Sequence, residues 1–212
     1  LRVNLTAQTA VEEPLPEAVV KDYLGGAGFA IKYLYDEVPA DTAALSEANK
    51  LLFAVGPLTA TGAPCASRMA VVAKSPLTGA VGMALAGGQF PAEMKQAGYD
   101  LIIVEGKAEK PTYISIKNGE VKFRRAAHLM GMETSDTQEV IKEELKDHNY
   151  RIACVGPAGD RQGPSAAPPA ARDSGRSWAP RTSRPSPCGA PANPAWPIPM
   201  PSRRPARPCW TP

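Results

Sequence analysis

Cysteine and histidine are scarce, at four and two residues in this chain of 212. Cys65, Cys154, Cys188 and Cys209 stand far apart, with no Cys-x-x-Cys pair, so neither a disulfide framework nor a complete metal site follows from them. His128 and His148 sit in polar stretches and read as surface residues. No run reaches the roughly 18 apolar residues that a membrane-crossing helix needs, so no membrane association is expected. A charged and then apolar leader is missing too, and the chain opens at Leu1 in a strand-like LRVNL; the expectation is a fragment of a cytoplasmic protein. Neither G-x-G-x-x-G nor G-x-x-x-x-G-K-[ST] occurs, which argues against the common nucleotide loops.

A further absence divides the chain. Residues 161–212 contain no Lys, Glu, Leu, Val, Phe or Tyr, yet they hold 14 of the 23 prolines, 8 arginines and a single Asp. Such a stretch cannot pack a core, so it is expected to be a disordered Pro/Arg-rich tail, and residues 1–160 to form the one domain. The net charge of +3 hides the same division: residues 1–160 carry 16 basic against 20 acidic side chains, and the tail 8 against 1. A mildly acidic folded part gives no reason to expect nucleic acid as a partner.

What is present reads as α+β. Leu1–Leu5 alternates apolar and polar residues as a strand does, with Thr9–Glu13 as its hairpin partner. Glu17–Leu24 follows Pro16 and closes on Gly25-Gly26, a helix with its start and stop signals in place. Phe29–Tyr35 reads as a second helix, amphipathic through Phe29, Ile31, Leu34 and Tyr35. Strands are expected at Lys50–Val55, Met69–Ala73, Ala80–Ala84, Leu101–Glu105 and Arg151–Val155. Short helices are expected at Pro91–Ala97 and Thr134–Lys146. Asn118-Gly119 marks a hairpin between Thr112–Ile116 and Glu120–Arg124. VGPLT (55–59) is echoed by KSPLT (74–78), and AVGP (54–57) by CVGP (154–157). The echoes suggest a strand-then-proline-turn unit used more than once, or shared turn chemistry alone.

The motifs GPLT (56–59), ASRM (66–69), KSPLTG (74–79), AGGQF (86–90) and KQAGYDLIIVEGKAEKP (95–111) carry a closer likeness. With LRVNLT, LGGAGFAIKYLYDE and IACVGPAGD, they make residues 1–160 resemble the N-terminal domain of the tungsten-dependent aldehyde:ferredoxin oxidoreductases. The resemblance implies two pseudo-symmetric β-sheets flanked by short helices, here truncated. It implies a tungsten bis-pterin cofactor whose phosphates are bridged by magnesium. It further implies oxidation of aldehydes to carboxylic acids, with a [4Fe–4S] cluster and ferredoxin taking the electrons. The family's cluster cysteines lie further along and are absent here, so this fragment alone is expected to be inactive; a homo-oligomer stays open.

The tail bears on the same resemblance. If each codon is restarted at the third base, Trp178-Ala179 forces Gly, and Trp196-Pro197 and Met200-Pro201 each force Ala. With the free bases chosen, residues 166–202 can be reread as a continuation of the same domain, beginning RAAGRTGLGAVLGAKNLKAIAV. The tail is therefore read as out-of-frame translation, with a genuine disordered docking arm as the alternative.

The candidate cofactor residues are Arg68, Leu85, Gly87 and Gly88; no catalytic residue and no side-chain metal ligand is expected in this chain. A guanidinium stays charged and offers a planar fork of donors suited to phosphate. In the family the matching arginine lies between pterin and cluster; on its own residues, Arg68 could equally be a strand-edge arginine in a surface ion pair. Gly87-Gly88 stands between a strand and a helix, where glycine lets a ligand approach backbone, although Gly-Gly more often simply makes a turn. Leu85 occupies a position where relatives carry Asn, whose main-chain carbonyl serves the magnesium, and Pro91 replaces a common Gly. Cys65 is expected to be a small buried thiol, Cys154 a core residue, and Glu12-Glu13 and Glu143-Glu144 solvated faces. Two other readings remain: a phosphate- or nucleotide-binding enzyme domain, and a non-catalytic interaction module working through the tail.

Overall fold

A computed structural model describes residues 1–157 and the backbone of residues 198–200. Its main sheet has six strands: β1 (Arg2–Asn4), β2 (Thr9–Val11), β3 (Leu51–Val55), β4 (Met69–Lys74), β5 (Val81–Ala86) and β6 (Leu101–Glu105). They lie in the order β2-β1-β6-β3-β4-β5, with only the β1–β6 pair parallel. Alternation of side chains along each strand sorts the apolar residues onto two faces. Leu52, Ala54, Ala70, Val72, Leu101 and Ile103 meet Phe29, Ala30 and Leu34 of the helix α2 (Ala27–Glu37), itself preceded by α1 (Glu17–Tyr23). Phe53, Val55, Met69, Val71, Ile102 and Val104 face the other way. There they meet Phe90 and Met94 of α3 (Phe90–Gln96), and Ile114 and Ile116 of β7 (Thr112–Lys117). The central strands are thus buried on both sides, which is why LLFAV and LIIVE read as unbroken apolar runs.

β7 and β8 (Glu120–Arg125) form the hairpin expected around Asn118-Gly119. Beyond them, α4 (Thr134–Leu145) packs Ile141 with Tyr113, Tyr150 and Ile152 in a smaller cluster. β9 (Arg151–Ala153) pairs antiparallel with β10 (Ile198–Met200), and β10 lies against β7. The tail's expected disorder falls outside the described residues except at β10, where the backbone is paired. The physical reason is that an open strand edge accepts extended segments, and a proline is tolerated there.

Every expected element is present, with ends moved by at most two residues. One expectation fails in detail. Ile31 and Tyr35 do not join the buried face of α2; Tyr35 is 84% exposed. Gly25 docks the start of this helix on the end of β3: Gly26 donates from its backbone N–H to the Val55 carbonyl at 3.0 Å. A Cβ on Gly25 would stand 3.1 Å from the Pro57 ring and 3.2 Å from that carbonyl, so only glycine allows the approach.

The opposite end of α2 is held by charge. The Arg2 guanidinium grips Glu37 with two hydrogen bonds of 2.8 and 2.9 Å, and reaches Glu105 at 3.1 Å and Glu13 at 3.0 Å. Lys50 pairs with Glu37 as well and with Glu105 at 3.0 Å. Glu13 is therefore an ion-pair partner rather than simply a solvated residue, and Glu12 accepts a hydrogen bond from the Tyr99 hydroxyl at 2.7 Å. The hydrogen bonds from Arg2, helped by Lys50 and opposed by partial burial, pull the Glu37 carboxyl down to about 2. A carboxyl held below its ordinary value of 4.5 stabilises the fold above that value and loses the contribution as pH falls toward about 2. Glu37→Gln is expected to lower stability at neutral pH by about 1–3 kcal/mol. It should also flatten the loss of stability between about pH 4.5 and 2, read from urea melts over a pH series.

Candidate functional site

The antiparallel pairing of β4 with β5 places Met69 opposite Ala86. Continuing that register by one residue brings Arg68 and Gly87 face to face. The contact is close: a Cβ on Gly87 would lie 3.8 Å from both Cδ and Cζ of Arg68 and 3.7 Å from the Ser67 carbonyl. Ser67 ties the two loops together, its hydroxyl donating to the Gly88 carbonyl at 2.6 Å. Gly88 has φ 86°, a left-handed backbone that side chains resist, and this turns the chain from β5 into α3.

The loop that delivers Arg68 is shaped by backbone turns. Ala60, Gly62 and Cys65 all have positive φ. The Thr59 hydroxyl, buried beneath, donates to the Ala66 carbonyl at 3.2 Å, and the Arg68 N–H bonds the same carbonyl at 2.9 Å. The Arg68 side chain is exposed and makes no ion pair among the described residues. A free planar cation beside an unobstructed stretch of backbone can take an oxyanion.

Leu85 lies two residues before Gly87 on β5, half exposed and opposite Ala70. The register therefore brings all four predicted cofactor residues to one corner of the sheet. Cys65 is there too, but exposed: the expectation of a buried thiol fails because its left-handed backbone holds it in an open loop. Cys154 is buried in the smaller cluster as expected, and His128 and His148 are exposed. Among the described residues, no three His, Cys, Asp or Glu side chains come together as metal ligands.

Two features were invisible in the sequence pattern. Ser67 has no signature that would mark it as a clasp between loops. Glu93, inside α3, is buried, and burial pushes its carboxyl up against the opposing pull of Arg151; its Oε2 has no hydrogen-bond partner. A cavity of about 220 Å³ lies elsewhere, lined by Leu1, Arg2, Tyr33, Tyr99 and Ile103 over β1 and β6, with β3 between it and the Arg68 corner.

Comparison with known proteins bears on this corner. The family described as "Aldehyde ferredoxin oxidoreductase, N-terminal domain" matches residues 1–182. The tungsten-containing aldehyde ferredoxin oxidoreductase of Pyrococcus furiosus is 47% identical over 160 residues, covering 76% of this chain and 26% of that protein. Its counterpart in Pyrococcus abyssi is 46% identical over 162 residues, covering 76% and 27%. Among solved structures, the active site complex BamBC of benzoyl coenzyme A reductase, in complex with 1,5-dienoyl-CoA, superposes with a TM-score of 0.76 at 35% identity. That match covers 77% of this chain and 25% of the other. The chain thus spans about a quarter of the length of the curated relatives it matches.

The corner's construction separates folding from binding. Gly88→Ala is expected to cost about 1 kcal/mol through backbone strain. Arg68→Ala should change stability by less than about 0.5 kcal/mol, because the side chain is exposed and unpaired. Urea melts of both variants check the contrast.

Proposed function

Because the chain belongs to the aldehyde ferredoxin oxidoreductases, through their N-terminal domain, we propose that this part of an oxidoreductase is the base on which a tungsten bis-pterin cofactor rests. The observation that carries the reading is the unpaired Arg68 held against Gly87. The residues fit such a group: one fixed cation for a phosphate, and an open glycine loop where backbone can approach it. Arg68 would neutralise phosphate charge, and Gly87 and Gly88 would admit the pterin edge. Leu85 would serve a bridging magnesium through its main-chain carbonyl, since its apolar side chain can offer no hydrogen bond. Ser67 and Thr59 hold these groups in place rather than touching the cofactor.

When bound, the metal and pterins would supply the redox chemistry by which an aldehyde and water become a carboxylic acid, with two protons released and two electrons passed through a [4Fe–4S] cluster to ferredoxin. This chain's residues would position the group; on this reading the cluster cysteines and the groups that handle the aldehyde belong to later parts of the full-length relatives. The 212-residue fragment alone is inactive on this reading. Its cytoplasmic placement belongs to the same proposal, and no helix among the described residues is long and apolar enough to cross a membrane. Residues 161–212 are read as out-of-frame translation that interrupts the cofactor domain near Asp160. Sequencing the locus tests that: a one-base correction should restore the domain and reveal downstream cysteines, and an uninterrupted frame without them would refute it.

The cofactor reading is tested in a full-length chimera in which residues 1–157 replace the matched segment of the P. furiosus relative. Expressed with tungstate, it should carry tungsten and pterin. Arg68→Ala should lower both by at least about tenfold, in line with the loss of one charge-assisted contact, while the same substitution leaves the urea melt of the cofactor-free 212-residue chain within about 0.5 kcal/mol. Equal tungsten and pterin in the two proteins would remove Arg68 from the site. ATP or NAD in place of pterin would favour a nucleotide domain.

A further inference from the structure

Glu93 is a buried carboxyl that the cofactor reading leaves without a task. It is 9% exposed, in a seven-residue helix whose Phe90 and Met94 fill the core. Side chains alternate along β9: Ala153 faces that same core, while Ile152 faces the smaller cluster with Tyr113 and Ile141. Arg151, two residues before Ala153, therefore points to α3 as Ala153 does. Its guanidinium pulls on the Glu93 carboxyl, yet no hydrogen bond joins them. Oε2 of Glu93 and Nε of Arg151 are both buried and both without a hydrogen-bond partner among the described residues.

Such a pair calls for a cause, because native structures leave few buried polar atoms unsatisfied. An ionised carboxylate held away from water costs stability, and attraction across a gap offsets only part of that. Its place says what it acts on. α3 begins directly after Gly88 and Gln89, and the Glu93 N–H donates to the Gln89 carbonyl at 3.0 Å, so the carboxylate stands one turn from the glycine loop. The apolar contacts of Phe90 and Met94 hold the helix down without fixing its rotation, since apolar burial has no direction. A charge attraction toward β9 does have one. Any turn or slide of α3 passes into Gly88, the left-handed joint whose carbonyl takes the Ser67 hydroxyl, and into Gly87, packed against Arg68.

We propose that Glu93 is a positioning residue: drawn toward Arg151, it orients the first turn of α3 and thereby sets where Gly87 and Gly88 stand against Arg68 and Ser67. It acts through the helix and not by touching the site. What it positions is the corner of the cofactor reading, so the inference rests on that reading for its use, though not for its measurement. The unpaired carboxylate is then kept for alignment at a cost in stability. Its neutral isostere should fold at least as well and hold the corner worse.

Glu93→Gln, Arg151→Gln and the double variant of the 212-residue chain are compared with the parent by nuclear magnetic resonance and by urea melts. The nuclear Overhauser contact between the Gly87 α-protons and the Arg68 δ-protons reports the corner, and that between Met69 and Ala86 reports the register of β4 on β5. Each single variant should weaken the first contact by at least about threefold and leave the second unchanged. The urea midpoint of Glu93→Gln should be no lower than the parent's. The double variant should match the singles, as residues acting as one unit do. An unchanged corner contact in Glu93→Gln would overturn the proposal. So would a lower midpoint, or loss of both contacts together, either of which would make Glu93 structural only. A summed effect in the double variant would separate Glu93 from Arg151 and overturn it as well. In the full-length chimera, Glu93→Gln should lower tungsten and pterin by at least about threefold, and equal content in loaded proteins would count against the role in the same way. A parent chimera empty of both would remove the cofactor reading and leave the corner contact to decide this one.

Discussion

The register of β4 on β5 is the constraint on which the rest of the molecule's chemistry depends. Met69 opposite Ala86 brings Arg68 to Gly87 and sends Leu85 to the open face of the sheet. A slip by one residue would invert every side chain on β5, burying Met83 and Leu85 against the wrong layer and exposing the alanines. The register is secured from both sides. Ala86, Met69 and Val71 pack into one core, and the Ser67 hydroxyl fastens the loop beyond the strand ends to the Gly88 carbonyl. Hydrophobic burial and the six-residue backbone ladder fix the alignment, and the Ser67 hydrogen bond extends it to the loops.

The two ends of the sheet are built from different forces. At the Arg68 end the loops hold by backbone turns and close glycine contacts, leaving one cation without a partner among the described residues. At the other end Arg2 and Lys50 share Glu37 and Glu105 in a network that ties β1, α2, β3 and β6. Arg68 is one of several cations without an ion pair among the described residues, and it is the one that stands against Gly87. The chain belongs to a family of oxidoreductases through its N-terminal domain, and it superposes on a quarter of a benzoyl coenzyme A reductase component.

Much of the fold could be read from residue patterns because punctuation and periodicity agree along the chain. Leu101–Glu105 and the Asn118-Gly119 hairpin are expected and found without change of type, since a continuous apolar run and a turn that needs positive φ are both local signals. The strand-then-proline echo also holds at β3, where Gly56-Pro57 ends the strand, and at β9, which is followed by Gly156-Pro157. The misreadings share one cause. Cys65 was expected inside and is exposed, and Ile31 and Tyr35 were expected on the packed face of α2 and stand outside it. Residue type reports a preference for burial, but only the neighbours decide whether burial is available.

By itself, the sequence determined the order and kind of the elements and the break in character after Asp160. All of these rest on local chemistry: side-chain alternation, turn residues, composition, and motifs contiguous along the chain. Only the tertiary structure decided that Arg68 faces Gly87, that Ser67 clasps Gly88, that Arg2 and Lys50 spend their charge on Glu37 and Glu105, and that Glu93 faces Arg151. Those facts depend on which strands become neighbours and in what register. Pairing between segments far apart in sequence is set by the packing of the whole core, and no short window of residues records it.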